Sequence, residues 1–148
     1  MEAVESCRQA KKAGLEPHIT MMFGYPWETE SDVAKSVELG RHLMKKGYAE
    51  TLQATIVVPY PGTRLFQECR EEGVLKSADW DQYDMRGSVI ETMVDDERLA
   101  ELIRDMYKVA FDPEFVARKI AGIRSYDDLR FMLSSARKVV GHIRDFSA

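Results

Sequence analysis

An excess of basic residues is the first thing this sequence lacks. Its 148 residues hold 21 Lys and Arg against 25 Asp and Glu, a net charge of -4, so no cationic field draws the chain to a nucleic-acid backbone. Lys45-Lys46 is too short to act as a patch. Long apolar runs are missing too. Without about eighteen consecutive apolar residues nothing spans a bilayer as a helix. Met1 to Glu5 carries acids where a secretory signal carries bases, so a cytoplasmic location is expected. Cysteine is scarce. Cys7 and Cys69 lie too far apart in sequence for a metal motif and read as small buried hydrophobes, so no metal site is expected here. Internal repeats and low-complexity linkers are likewise absent.

What is present is enough for a packed core: 45% of the residues are apolar and 31% are charged. Val4, Cys7, Ala10 and Ala13 form one helical stripe, which Gly14 and Leu15 terminate. His18 to Phe23 is a short run between Pro17 and Gly24 and predicts a strand covered on both faces. Gly24 to Thr29 is a loop. Thr29 and Asp32 form a capping box for a helix reaching about Met44, with Val33, Val37, Gly40 and Met44 inward and Gly47 beyond its end.

Leu52 to Val58 predicts a second, β-branched strand. Strand, helix and strand make a βαβ unit with parallel pairing. Pro59 to Thr63 stops that strand, and Thr63 caps a helix running to Glu72 before Gly73. Residues 74–94 have no clear period; Trp80, Tyr83 and Met85 are expected to anchor them. Asp95 or Asp96 then caps a helix with Leu99, Leu102, Ile103, Met106 and Val109 on one side. Asp112-Pro113 starts another helix. Ser125 and Asp128 box a last one, striped by Leu129, Met132, Leu133, Ala136, Val139, Val140 and Ile143 and expected to be core. The expected organisation is an α/β unit over 1–94 and a helical extension over 95–148.

Two strands are too few for a parallel sheet to stand alone, so neighbouring strands are expected from outside this chain. Such a piece should self-associate through its uncovered sheet.

The two loops carry a family resemblance. Gly24-Tyr25-Pro26-Trp27-Glu28-Thr29 resembles the G-x-P-G-E-T loop after the fifth barrel strand of radical S-adenosylmethionine (SAM) enzymes. Pro59-Tyr60-Pro61-Gly62-Thr63 resembles the P-[FY]-P-G-T loop after the sixth strand in the cobalamin-binding branch. One helix and one strand separate them, as that barrel requires, and Ala10 to Leu15 is similar to the end of the helix before strand five. The resemblance covers residues 3–75. It implies the C-terminal portion of a partial (β/α)6, TIM-like barrel. Trp27 departs from the pattern, which has glycine there, and so puts the loop's shape in question.

The resemblance also implies cofactors: a [4Fe–4S] cluster on a C-x-x-x-C-x-x-C loop, SAM bound to its open iron and cleaved to a 5′-deoxyadenosyl radical, and cobalamin in the full-length parent. This sequence has no such cysteine triad, so no catalytic residue, bound cofactor or activity is expected of the chain alone. Its partners would be the first half of its own barrel and a small-molecule substrate. Carried over from the family, Met22, Phe23, Val58 and Pro59 flank the adenine, through backbone groups. Side-chain alternation predicts His18, Thr20 and Met22, with Gln53, Thr55 and Val57, as the inward sets. Gly24, Pro26 and Glu28 shape the first loop, Glu28 by accepting backbone N–H bonds, and Tyr60 stands at the mouth. The parent is expected to be an oxidoreductase or methyltransferase. The other readings are a fragment of a radical SAM methylthiotransferase and a non-catalytic α/β interaction module.

Overall fold

The computed structural model describes residues 2–77, 79–85 and 87–145, with the side chains of all but 131, 142, 143 and 145. Helix α1 (Glu2–Lys12) begins with acids and ends with Lys11 and Lys12, which suits the helix dipole at both ends. Gly14 adopts φ +82 and Leu15 N donates to Ala10 O, the turn expected after a helix. Strand β1 (His18–Phe23) follows as the sequence predicts. Helix α2 (Glu30–Lys45) starts with the Thr29–Asp32 capping box.

Strand β2 spans Thr51–Ile56, shorter at its end than the predicted Leu52 to Val58. Val57 N still donates to Phe23 O at 2.8 Å, but Val58 and Pro59 are already packed in the turn, and proline has no N–H to offer a ladder. Helix α3 (Arg64–Glu71) is capped by Thr63. The remaining helices are α4 (Asp96–Tyr107), α5 (Pro113–Ala121) and α6 (Tyr126–Asp145). Asp95 caps α4 and Asp112 caps α5, with Pro113 in its first turn. Ser125 and Asp128 make reciprocal backbone bonds at the start of α6.

The strands pair in parallel, His18 beside Thr51 through to Phe23 beside Ile56. One face of the pair is covered. Phe23, Ala54 and Ile56 pack with Val33 and Val37 of α2 and with Leu99, Leu102, Ile103, Met106 and Tyr107 of α4. The segment from Asp95, read in the sequence as the start of a helical extension, therefore puts its first helix into the same core as the βαβ unit. Gly40 permits the close stacking: a Cβ there would lie 2.8 Å from Met21 Sδ and 2.9 Å from Met106 Sδ.

The opposite face corrects the expectation of strands covered on both sides. Exposure alternates along β1, with His18, Thr20 and Met22 open to solvent. On β2, Gln53 is exposed while Thr51 and Thr55 are half-buried. Among the described residues nothing buries Thr20, Met22 or Gln53 on that face, and its mixed polar composition tolerates water.

The two edges differ as well. Ala54 N donates to the Tyr107 hydroxyl at 2.8 Å and Ile56 N to Met85 O at 3.2 Å, so α4 and the 74–90 segment occupy the outer side of β2. Met85 pays for this with φ 64, a left-handed conformation that costs a non-glycine residue roughly 1 kcal/mol. Parallel pairing turns the backbone groups of His18, Thr20 and Met22 away from β2, and among the described residues no backbone bond from elsewhere reaches them.

The 74–94 stretch holds an antiparallel bridge between Leu75 and Ile90 that the sequence did not signal. Of its three expected anchors, Tyr83 is buried, whereas Trp80 and Met85 are exposed. Trp80 lies against the Tyr83 ring at 4.9 Å and Met85 anchors through its carbonyl. The α6 stripe is a larger correction. Leu129, Leu133 and Val140 are exposed, Met132 and Val139 are half-buried, and the side chain of Ile143 lies outside those described. The helix contacts α4.

Glu50, just before β2, ties three segments together. Its carboxylate accepts from Lys11 of α1 at 2.9 Å and from Lys119 of α5, and its N–H donates to Pro17 O at 2.8 Å. Burial pushes this carboxyl up, but the bonds from Lys119 and Lys11 outweigh it, and the group titrates below its ordinary value. A depressed pKa stabilises the fold above the unfolded carboxylate's pKa, and the contribution is lost as pH falls through the folded one. Glu50→Gln is expected to cost about 1 kcal/mol at neutral pH. The gap from wild type in urea titrations should close below about pH 4; a gap independent of pH would contradict this role. Tyr107→Phe strands the buried Ala54 N–H and is expected to cost about 1–3 kcal/mol. That should appear as a lower urea midpoint at unchanged slope.

Candidate functional site at the strand ends

Parallel pairing in register brings the carboxyl ends of β1 and β2 side by side, and both motif loops leave from that end. In α/β proteins this end of a parallel sheet is where ligands bind. The first loop is built around one carboxylate. Glu28 Oε2 accepts from Gly24 N at 2.7 Å and from Tyr25 N at 3.0 Å, and Glu28 N donates back to Tyr25 O at 3.0 Å. Two charge-assisted bonds to one oxygen hold the turn closed.

The positive φ in this loop falls at Gly24, +84, where a Cβ would lie 3.0 Å from Leu99 Cδ2. Trp27 is not among the described residues with positive φ. It stacks on Tyr25 at 5.1 Å, is 62% exposed, and lies over the loop rather than inside it. The conformational freedom that the loop demands is thus met three positions before the tryptophan. Pro26 is half-buried beside them.

The second loop turns at Gly62, φ +86. Thr63 Oγ1 donates to Tyr60 O at 2.6 Å and accepts from Phe66 N at 3.2 Å. Tyr60 is 44% exposed, and its hydroxyl donates to Tyr83 O at 3.3 Å. Pro59 is fully buried, Val58 packs with Tyr83 and Val89, and Val57 packs with Cys69 and Ile90. Val57, which alternation places with the inward set, is thus buried against Cys69 of α3 and Ile90 and not open to solvent.

Of the residues expected to flank adenine, Met22 is exposed on the open face, where its Sδ accepts from the Tyr25 hydroxyl at 3.3 Å. Phe23, by contrast, is in the core and its carbonyl is engaged by Val57 N. Thr20, Met22, Gln53 and Thr55 share the open face. His18 sits at the other end of β1, roughly 16 Å along the strand from Phe23, and bonds Thr51 Oγ1 at 2.7 Å. One polar atom stands out: Thr55 Oγ1 is buried with no hydrogen-bond partner among the described residues. Sequence alternation put Thr55 on this face, but no pattern could show that its hydroxyl is left unpaired.

No resident metal chemistry fits these residues. Among the described residues no three His, Cys, Asp or Glu side chains converge. Cys7 and Cys69 belong to separate apolar clusters. Burial, then Glu72 and Glu68, hold the Cys69 thiol above its ordinary pKa, which disfavours the thiolate that iron would need.

No protein-family profile matches the chain. Among curated proteins it is similar to an uncharacterized methyltransferase of Pyrococcus horikoshii, 28% identical over 107 residues, 72% of this chain and 22% of that protein. It is also similar to the bacteriochlorophyllide d C-8(2)-methyltransferase of Chlorobaculum tepidum, 32% identical over 89 residues, 60% of this chain and 18% of that protein. The chain thus spans about a fifth of the length of these relatives. It is related in sequence to proteins named methyltransferases. Among the described residues no helix is long and apolar enough to cross a membrane.

Glu28→Ala removes the acceptor shared by Gly24 and Tyr25. Losing charge-assisted bonds of about 1.5–3 kcal/mol should speed hydrogen exchange of those two amides by about tenfold or more, with the Ala54 and Ile56 amides unchanged. Equal acceleration throughout the sheet would mean that Glu28 supports the whole fold instead of the loop.

Proposed function

We propose that this chain is the carboxyl-terminal barrel portion of a SAM-dependent methyltransferase of the radical SAM type, contributing strands that face SAM and substrate. The observation that carries this reading is the placement of two proline-bearing motif loops at the same end of adjacent parallel strands. The relatives' names favour methyl transfer over methylthiolation. The bare edge of β1 and the uncovered face beside it favour a larger barrel over a free-standing interaction module.

In this reading SAM lies across the carboxyl ends of β1 and β2, and when bound it supplies the methyl group or the adenosyl moiety. Met22 offers an exposed side chain to such a ligand, the buried, unpaired Thr55 hydroxyl would meet it only after the side chain turns toward the open face, and Glu28 keeps the first loop rigid. A hydroxyl left unsatisfied costs about 1–3 kcal/mol, which a ligand's polar group would recover. The iron–sulfur cluster does not fit this chain's donors and belongs, in this reading, to the segment that completes the sheet along β1; cobalamin would likewise be held elsewhere. Without that segment the exposed sheet is expected to draw copies of the chain together.

The test is anaerobic reconstitution of the protein together with its upstream coding sequence, followed by reductant and SAM. Release of 5′-deoxyadenosine or S-adenosylhomocysteine, with loss of SAM affinity in Thr55→Val, is expected. A reconstituted protein that yields neither product, or tight SAM binding to this chain alone in calorimetry, would overturn the assignment.

A further inference from the structure

Helix α6 carries a feature unrelated to the strand ends. Leu129, Leu133, Ala136, Val140 and Ile143 recur at alternating spacings of four and three, the a/d seam of a coiled-coil helix. Arg130, Arg137 and Arg144 each follow a d position and so occupy every e position along it. Residues 129–144 include no acid and four cations, in a chain whose net charge is -4.

The structure separates the two flanks of this seam. Met132 and Val139, at the g positions, are half-buried, and α6 contacts α4. Leu129, Leu133, Ala136 and Val140 on the seam are exposed, as are all three arginines. Tyr126, Leu129, Leu133, Arg130 and Arg137 line one shallow groove. No carboxylate among the described residues forms an ion pair with Arg130, Arg137 or Arg144. Elsewhere exposed Arg64 pairs with Glu68 and Arg98 with Glu30, whereas exposed Arg70 and Arg124 form no ion pair among the described residues.

We infer that the exposed seam of α6 docks an acidic amphipathic helix, with apolar a/d residues on Leu129, Leu133 and Val140 and glutamates or aspartates facing the arginine row. A second copy of α6 fits poorly. An antiparallel pair would set arginine row against arginine row, and a parallel pair would set arginines against Met132 and Val139, which are apolar and already half-buried in this chain.

The probe is a fluorescent 21-residue helical peptide with leucine at a and d and glutamate at e and g, compared with the same peptide carrying lysine for glutamate. Titrated with this chain, the glutamate peptide is expected to bind at least about fivefold more tightly, an advantage that shrinks in high salt. Arg130→Glu with Arg137→Glu, both exposed and unpaired, should reverse the preference, and circular dichroism checks that the helices persist. Leu133→Asp should abolish binding of both peptides. Equal binding of the two peptides, no measurable binding of either, or an unreversed preference in the double variant would overturn the assignment. So would a dimer in light scattering that Leu133→Asp dissolves, which would give the seam to a second copy. Binding to anionic phosphatidylglycerol vesicles but not to the glutamate peptide would give it to a lipid surface, with the same consequence.

Discussion

A parallel pair of strands has no hairpin to hold it, and its backbone must be satisfied by whatever surrounds it. That constraint organises this molecule. The interior ladder joins β1 to β2, the Tyr107 hydroxyl and the Met85 carbonyl meet two outward N–H groups of β2, and α2 with α4 covers one apolar face. Met85 accepts a left-handed backbone to deliver its carbonyl, and Gly40 lets helix α2 lie against two methionine sulfurs. Both are local concessions to the same requirement, and both fix where the strand ends point.

At those ends the chemistry is one of shape and hydrogen bonding. Glu28 spends its carboxylate on two backbone donors, and Thr63 closes the other turn. Beside them Met22 is exposed and the Thr55 hydroxyl is buried without a partner among the described residues.

Much of this was legible in the sequence because the signals were local. Caps at Thr29, Thr63, Asp112 and Ser125, glycine at positions of positive φ, and alternation in His18 to Phe23 each depend on a few neighbouring residues. The acceptor role of Glu28 follows from a carboxylate placed just after a tight turn. What failed depended on distant parts of the chain. An apolar stripe on α6 cannot announce that Leu129, Leu133 and Val140 stay exposed. Trp80 reads as an anchor by size, yet Tyr83 holds the buried place. A β-branched run does not reveal that one face of a strand has no cover, and the unpaired Thr55 hydroxyl is a property of surroundings that no motif encodes.

The occupied flank of β2 also sets a limit on growth. With Ala54 and Ile56 already engaged, additional strands are steered to the β1 side. Were two molecules to join there, each would spend its accessible border on the other. Such an encounter terminates as a finite pair instead of propagating into a ribbon, because the tyrosine on α4 works as a chain stopper.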